Sequence, residues 1–159
     1  MSTQLIESRE SRAVEVWVRL LRGHAACRRA LSTQLQAEHS LTVNDYEALL
    51  LLSRAEGKLM RRVDLADGLQ LTASGVTRLL DGLEEQGLVD KATCPSDGRV
   101  TYAKLTRRGL KKLEHAAYAH FSTINAIFEE RFTAEELETF AELLERIPGG
   151  CPAVEAKAA

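Results

Sequence analysis

Three observations predict a mainly α-helical fold with a single β-hairpin. Residues 71–109, LTASGVTRLLDGLEEQGLVDKATCPSDGRVTYAKLTRRG, read as a capped helix followed by a short ribbon. Outside that stretch, apolar residues recur at the three- and four-residue spacing of amphipathic helices. Two capping boxes and several Gly or Pro stops divide the remainder into separate helices.

The elements follow in chain order. Ser11 to His39 is one long helical stretch, with Val14, Trp17, Leu20, Leu21, Leu31 and Leu35 recurring at helical spacing. Thr42-x-x-Asp45 is a capping box opening a helix that is expected to run to Glu56, where Gly57 stops it. A short helix from about Met60 to Leu69 is expected to turn Val63, Leu65, Ala66 and Leu69 inward. Thr72 is an N-cap, and Val76, Leu79, Leu80 and Leu83 form one apolar face on the helix it opens. Gly87 ends that helix as a C′ residue. Leu88–Cys94 and Val100–Leu105 are strand-like runs joined by Pro95-Ser96-Asp97-Gly98, which is turn chemistry. Thr106 caps a long helix from Arg107 to about Phe132, and Thr133-x-x-Glu136 opens a last one that Pro148-Gly149-Gly150 ends. Residues 148–159 read as a frayed tail.

The capped helix and ribbon carry the functional signal. Opposite its apolar face the helix shows Ala73, Ser74, Thr77, Arg78 and Asp81. Short side chains at a helix start let the backbone approach base edges and phosphates, and Arg78 can reach a guanine or a phosphate. An ordinary amphipathic surface helix would show the same pattern. Arg99 stands just past the ribbon tip, with Asp97 close enough to hold its guanidinium in one direction. An oriented arginine there suits a narrow, negative A/T-rich minor groove, although a solvated hairpin with a local ion pair reads alike. The order of helix then ribbon favours DNA.

Charge is distributed to match. The net charge is −2. Residues 58–112 hold 11 Lys/Arg against 7 Asp/Glu, residues 113–159 hold 3 against 9, and residues 1–57 balance. Positive charge therefore lies on the DNA-reading segment, where Lys58, Arg61 and Arg62 are expected near backbone phosphates.

These residues resemble the multiple-antibiotic-resistance regulator (MarR) family of winged helix-turn-helix proteins. The resemblance rests on Thr72-Ala-Ser-Gly-Val-Thr-Arg-Leu-Leu-Asp-Gly-Leu-Glu, Gly87-Leu-Val, Asp97-Gly-Arg99 and Leu105-Thr-x-x-Gly109, with Leu41-Thr-x-x-x-Tyr46 and Val63-Asp-Leu-Ala66 upstream. It spans about residue 12 to 147. It implies a single domain over 1–159, with a winged helix-turn-helix lobe at 41–109 and dimerisation helices at 11–39 and 107–147. It implies a homodimeric regulator of transcription on double-stranded DNA, a repressor released by ligand at a pseudo-palindromic operator. The site residues are then Thr72, Ser74, Thr77, Arg78, Asp97, Arg99, Lys58, Arg61 and Arg62. An anionic aromatic effector in some members binds near positions matching Trp17, Leu21, His24, Tyr46 and Tyr118, although each also reads as core packing, which is the better account of Leu21 and Tyr46. The surplus apolar residues Phe121, Ile124, Ile127, Phe128, Phe132, Leu137, Phe140, Leu143, Leu144 and Ile147 agree with a dimer, although the helices packing on themselves would also cover them.

Other classes fare worse. At 45% hydrophobic and 28% charged residues the chain is globular, with length for one domain. No apolar run approaches membrane-spanning length and the N-terminus lacks a signal core, so a cytoplasmic protein without membrane contact is expected. Cys27, Cys94 and Cys151 lack metal-ligand spacing, and His24, His39, His115 and His120 form no HxxxH or HExxH pair. Neither a metal, a cofactor nor an enzymatic activity is expected. A protein-binding winged helix remains an alternative. So does a thiol-based sensor, because Arg28 and Arg29 beside Cys27 can lower a thiol pKa.

Overall fold

The computed structural model describes residues 11–93 and 100–147. Helix α1 (Arg12–His39) leads to α2 (Val43–Arg54), a 3-10 turn (Glu56–Lys58), β1 (Leu59–Arg61), α3 (Arg62–Leu69) and α4 (Ala73–Glu85). Strands β2 (Val89–Thr93) and β3 (Thr101–Leu105) follow, then α5 (Arg107–Glu129) and α6 (Ala134–Glu145). The chain forms two compact units, Met1–Thr123 and Ile124–Ala159.

The caps expected from sequence are present. Ser11, not singled out as a cap in the sequence, caps α1 as well, and both capping boxes, Thr42 with Asp45 and Thr133 with Glu136, close reciprocally. Each satisfies two amide groups that a helix start leaves without partners. The end of α4 is a Schellman motif. Gly87 at φ 68 sends its amide to the Glu84 carbonyl, and the Leu88 amide reaches the Leu83 carbonyl at 2.9 Å.

The core of the first unit draws on helices α1 to α5 and on the sheet. Leu35 of α1, Tyr46, Leu49 and Leu52 of α2, Leu65 of α3, and Val76, Leu80 and Leu83 of α4 pack with Val89, Ala103, Leu113 and Ala116. In the second unit, Phe132 stacks with Phe128 and Phe140 at centroid distances of 6.2 and 6.1 Å.

Four expectations are corrected. The sheet has three antiparallel strands in the order β1-β3-β2, so residues 59–61 are a strand where the short helix was expected to begin. Leu59, Met60 and Arg61 pair with Lys104, Ala103 and Tyr102. Three residues are too few to show an alternating pattern, and only the edge of β3 makes them a strand. Val63 is 60% exposed. At 100° per residue it lies roughly 110° from the direction shared by Leu65, Ala66 and Leu69, so α3 cannot bury all four. Helix α2 ends at Arg54, not Glu56, because Ala55 turns extended (ψ 148) ahead of Gly57 at φ 62. Helix α5 ends at Glu129, which puts Phe132 in the turn before α6. The wing tip, with Cys94, Asp97 and Arg99, lies outside the described residues, as do Cys151 and the rest of the tail.

One junction ties α4, the wing and α5 together. Thr106 accepts from the Gly109 amide at 2.9 Å and turns its hydroxyl toward the Gly87 and Leu88 carbonyls, at 2.8 and 3.1 Å. Its own amide donates to the Leu88 carbonyl at 3.1 Å. Gly109 sits against the same carbonyl. A Cβ there would lie 2.1 Å from the Leu88 oxygen and 2.8 Å from Leu105 Cδ1. The backbone oxygen cannot swing aside as a flexible side chain would. Gly109→Ala is therefore expected to destabilise the protein at or above the upper end of the usual overpacking cost of about 1–3 kcal/mol, read by chemical denaturation.

A second buried feature is polar. His120 is buried, with its ring 4.2 Å from that of Tyr46 at a 39° tilt. Neither His120 Nδ1 nor Tyr46 Oη finds a hydrogen-bond partner among the described residues. Burial holds the His120 imidazole below its ordinary 6.5 and raises the Tyr46 phenol, with Arg54 opposing the latter. Because the unfolded chain binds the His120 proton more readily, this contribution to stability is complete above pH 6.5 and declines as pH falls below it. The melting temperature is expected to fall between about pH 7 and about pH 5, and His120→Phe, which keeps an aromatic ring on Tyr46, should flatten that fall. Equal slopes in thermal scans of both proteins would contradict the assignment.

Candidate nucleic-acid interface

Helices α3 and α4 form a helix-turn-helix whose turn is built from backbone bonds. Gln70 takes a left-handed conformation (φ 54), and its amide caps α3 through the Ala66 and Asp67 carbonyls. The Leu71 amide also reaches Ala66 O, at 2.9 Å. Thr72 then accepts from the Gly75 amide at 3.1 Å and lies 3.1 Å from the Ser74 hydroxyl. With Val76, Leu80 and Leu83 buried beneath, α4 turns Ala73, Ser74 and Arg78 outward, all exposed.

The other polar residues of this surface differ in what already holds them. The Thr77 hydroxyl donates to the Ala73 carbonyl one turn back, at 2.7 Å, and accepts from Arg62 of α3. Arg61 forks onto Asp64, with both bonds at 2.6 Å. That bidentate bond raises the Arg61 pKa and lowers the Asp64 carboxyl. Lys91 of β2 reaches back to Asp81 at 2.6 Å and Glu84 at 2.9 Å, and these two carboxylates raise its pKa. The root of the wing is thus pinned to the second half of α4. Lys58 sits at the 3-10 turn with φ 55, half-buried, just before β1.

Val63, with Arg62, Ala66, Leu71, Val76 and Val100, lines a cleft of about 410 Å³ where α3 and α4 meet the wing. Val63 is therefore exposed to a cleft, not stranded on an open face. Neither Lys91 nor the Arg62–Thr77 contact was legible in sequence. Arg62 and Thr77 are 15 residues apart on different helices, and no periodicity links them. Asp81 and Glu84, three apart on one helix, were the only local sign of where a cation could sit.

The five effector-site residues fall in different surroundings. Tyr46 is buried under His120, whereas Trp17, Leu21 and Tyr118 are exposed. His24 lines a groove of about 570 Å³ with Arg28, Asn44, Glu47, Leu50 and Leu69. Cys27 is half-buried on α1. The adjacent Arg28 guanidinium points to α2, where it donates to Asn44 and, at 3.4 Å, to Glu47.

Comparison with known proteins agrees with this geometry. A model described as "MarR family" matches residues 39–100, which run from the end of α1 through the helix-turn-helix to the wing. The HTH-type transcriptional repressor YetL of Bacillus subtilis is 32% identical over 108 residues, 68% of this chain and 64% of that protein. The crystal structure of Sco3205, a MarR family transcriptional regulator from Streptomyces coelicolor in complex with DNA, superposes with a TM-score of 0.80. It shares 25% identity and is covered over 94% of each chain. AbsC, a MarR family regulator from the same organism, gives a TM-score of 0.78 at 29% identity, over 87% of this chain and 94% of its own.

Residues 39–100 of the chain match the MarR family. The chain has the winged-helix fold of these regulators: mostly helical, with a small three-stranded antiparallel sheet. The match to YetL spans less than two thirds of that repressor's length. Among the described residues, no helix is long and apolar enough to cross a membrane.

Proposed function

We propose that this chain is a sequence-specific DNA-binding regulator of transcription that acts as a cytoplasmic homodimer on a pseudo-palindromic operator. The observation that carries the reading is α4. Its buried face locks it to the core, and its opposite face offers small residues and the exposed Arg78, with Arg62 alongside. That surface suits a major groove. The solved complex of Sco3205 with DNA supports the reading. Thr72, Ser74 and Arg78 face the groove, and Lys58 lies near phosphates. Arg99, at the wing, takes the neighbouring minor groove, with Asp97 holding its guanidinium in one direction.

Operator titrations test this. Arg78→Ala is expected to cost about 1–3 kcal/mol of affinity, the range for a bidentate base contact. Arg99→Ala should weaken binding most on operators with A/T-rich flanks. Retained affinity in both variants, or binding that does not weaken with salt, would turn the reading toward a protein-binding winged helix.

The dimer is supported by apolar surface left in water. Val14, Val16, Trp17, Val18 and Leu21 of α1 are exposed, as are Phe132, Leu143 and Ile147 of the second unit. A second copy covers such faces and sets two α4 helices about one DNA turn apart. Sedimentation is expected to show a dimer at micromolar concentration, and a monomer would contradict it.

Repression relieved by an anionic aromatic effector is the mode of action we favour, supported by the repressor YetL among the relatives. His24 and the neighbouring Arg28 line one groove and supply the cationic and hydrogen-bonding groups for a carboxylate; Trp17, Leu21 and Tyr118 are the exposed aromatic and apolar candidates, whereas Tyr46 is buried. No catalytic role is assigned to any residue.

A further inference from the structure

We infer that Arg62, which belongs to the helix before the recognition helix, reads a guanine edge in each half-site, and that Thr77 is the residue that positions it. The inference rests on the DNA-binding reading above and changes the roles of two residues within it. Thr77 was expected to offer its hydroxyl to the major groove, and Arg62 to hold a phosphate.

The hydrogen-bond accounting at Thr77 argues otherwise. A threonine hydroxyl has one proton. Here that proton goes to the Ala73 carbonyl, at 2.7 Å. The oxygen's acceptor side takes an N–H of Arg62. Thr77 has no donor left for a base. The donors at this turn of α4 belong to Arg62, whose planar guanidinium carries five N–H groups in a fixed fork. Those beyond the bond to Thr77 have no other partner among the described residues.

Position and charge point the same way. Thr77 is the fifth residue of α4, one turn above Ala73. Ala73 and Arg62 line the same cleft, and the alanine leaves room beside the arginine. Exposed Ser74 and Arg78 flank the contact on the same helix. Arg62 is therefore laid along the face that enters the groove, not splayed toward a rim. Its neighbour Arg61 shows the contrast. Arg61 is forked onto Asp64, whereas no carboxylate pairs with Arg62 among the described residues. Arg62 is also half-buried against its own fold, so its side chain has less freedom to lose on binding than an exposed arginine. An oriented guanidinium with open donors is what bidentate recognition of guanine O6 and N7 requires.

The test is a selection from randomised operator duplexes with the full chain and four variants, followed by titrations at several salt concentrations. The wild type should select guanine at one fixed position in each half-site. Arg62→Lys keeps the charge but lacks the fork. It should keep the salt dependence and lose the preference at that position by about 5- to 150-fold, the range for a bidentate arginine–guanine pair. Thr77→Val, which removes the acceptor at similar volume, should blur the same position, and Thr77→Ser should restore it. Arg62→Ala should lose the same preference. The proposal is overturned if Arg62→Lys and Arg62→Ala select the wild-type sequence while Arg62→Ala binds all sequences uniformly more weakly with a salt slope reduced by about one, the signature of a phosphate contact. If Arg62→Ala melts early, the lysine and threonine variants carry the test. A wild-type protein that selects no sequence overturns the DNA reading itself, an outcome distinct from an unchanged preference in the Arg62 variants.

Discussion

The carbonyl of Leu88 is the point on which the arrangement of the DNA-reading lobe depends. Leu88 follows the Schellman turn that ends α4, and its amide closes that turn on Leu83. Its carbonyl then receives the Thr106 amide, while the Thr106 hydroxyl caps α5 and reaches the same turn. Gly109 lets α5 approach the backbone to a distance no side chain permits. The end of the recognition helix, the two long strands of the wing and the start of α5 are thus held at a single place. Thr106 and Gly109 resemble family motif residues in sequence, and the structure supplies their physical reason. Thr106 caps the helix and Gly109 permits close backbone approach.

Around that junction, ion pairing sorts the basic residues into two kinds. Lys91 is held by Asp81 and Glu84, and Arg61 by Asp64. These pairs are solvent-exposed and add little to stability individually. Their consequence is positional. Lys91 neutralises two carboxylates of α4, and it fastens β2 to that helix. Arg78, on α4's outward face, and Arg62 of α3, which reaches Thr77 of α4, are left without carboxylate partners among the described residues. A count of Lys and Arg over residues 58–112 locates the basic lobe but cannot distinguish these two kinds.

Much of the fold was legible because its signals are local. Thr42, Thr72, Thr106 and Thr133 each cap the helix they were expected to cap, since the capping bond spans three residues or fewer. Gly87 ended α4 as read, and the apolar stripe of Val76, Leu79, Leu80 and Leu83 faced inward. What escaped was of longer range. Residues 59–61 became a strand only through pairing with β3, more than 40 residues onward. Val63 fitted an apolar count but not the angular width of an eight-residue helix. The His120–Tyr46 stack joins residues on α5 and α2, and Tyr46 was weighed as an effector contact without sight of the histidine above it.

The sequence by itself determined the order and caps of the helices, the place of the wing and the family resemblance. Each of these is carried by residues close together in the chain, where backbone geometry and hydrogen-bond reach allow few alternatives. Tertiary structure alone decided which polar groups are already engaged. That Thr77's only proton goes to Ala73, that Arg62 leans on Thr77, and that Lys91 lies between Asp81 and Glu84 depend on how α3, α4 and β2 pack. Packing is set by the whole apolar core, and a hydrogen bond between side chains 10 or 15 residues apart leaves no periodic trace in the chain that forms it.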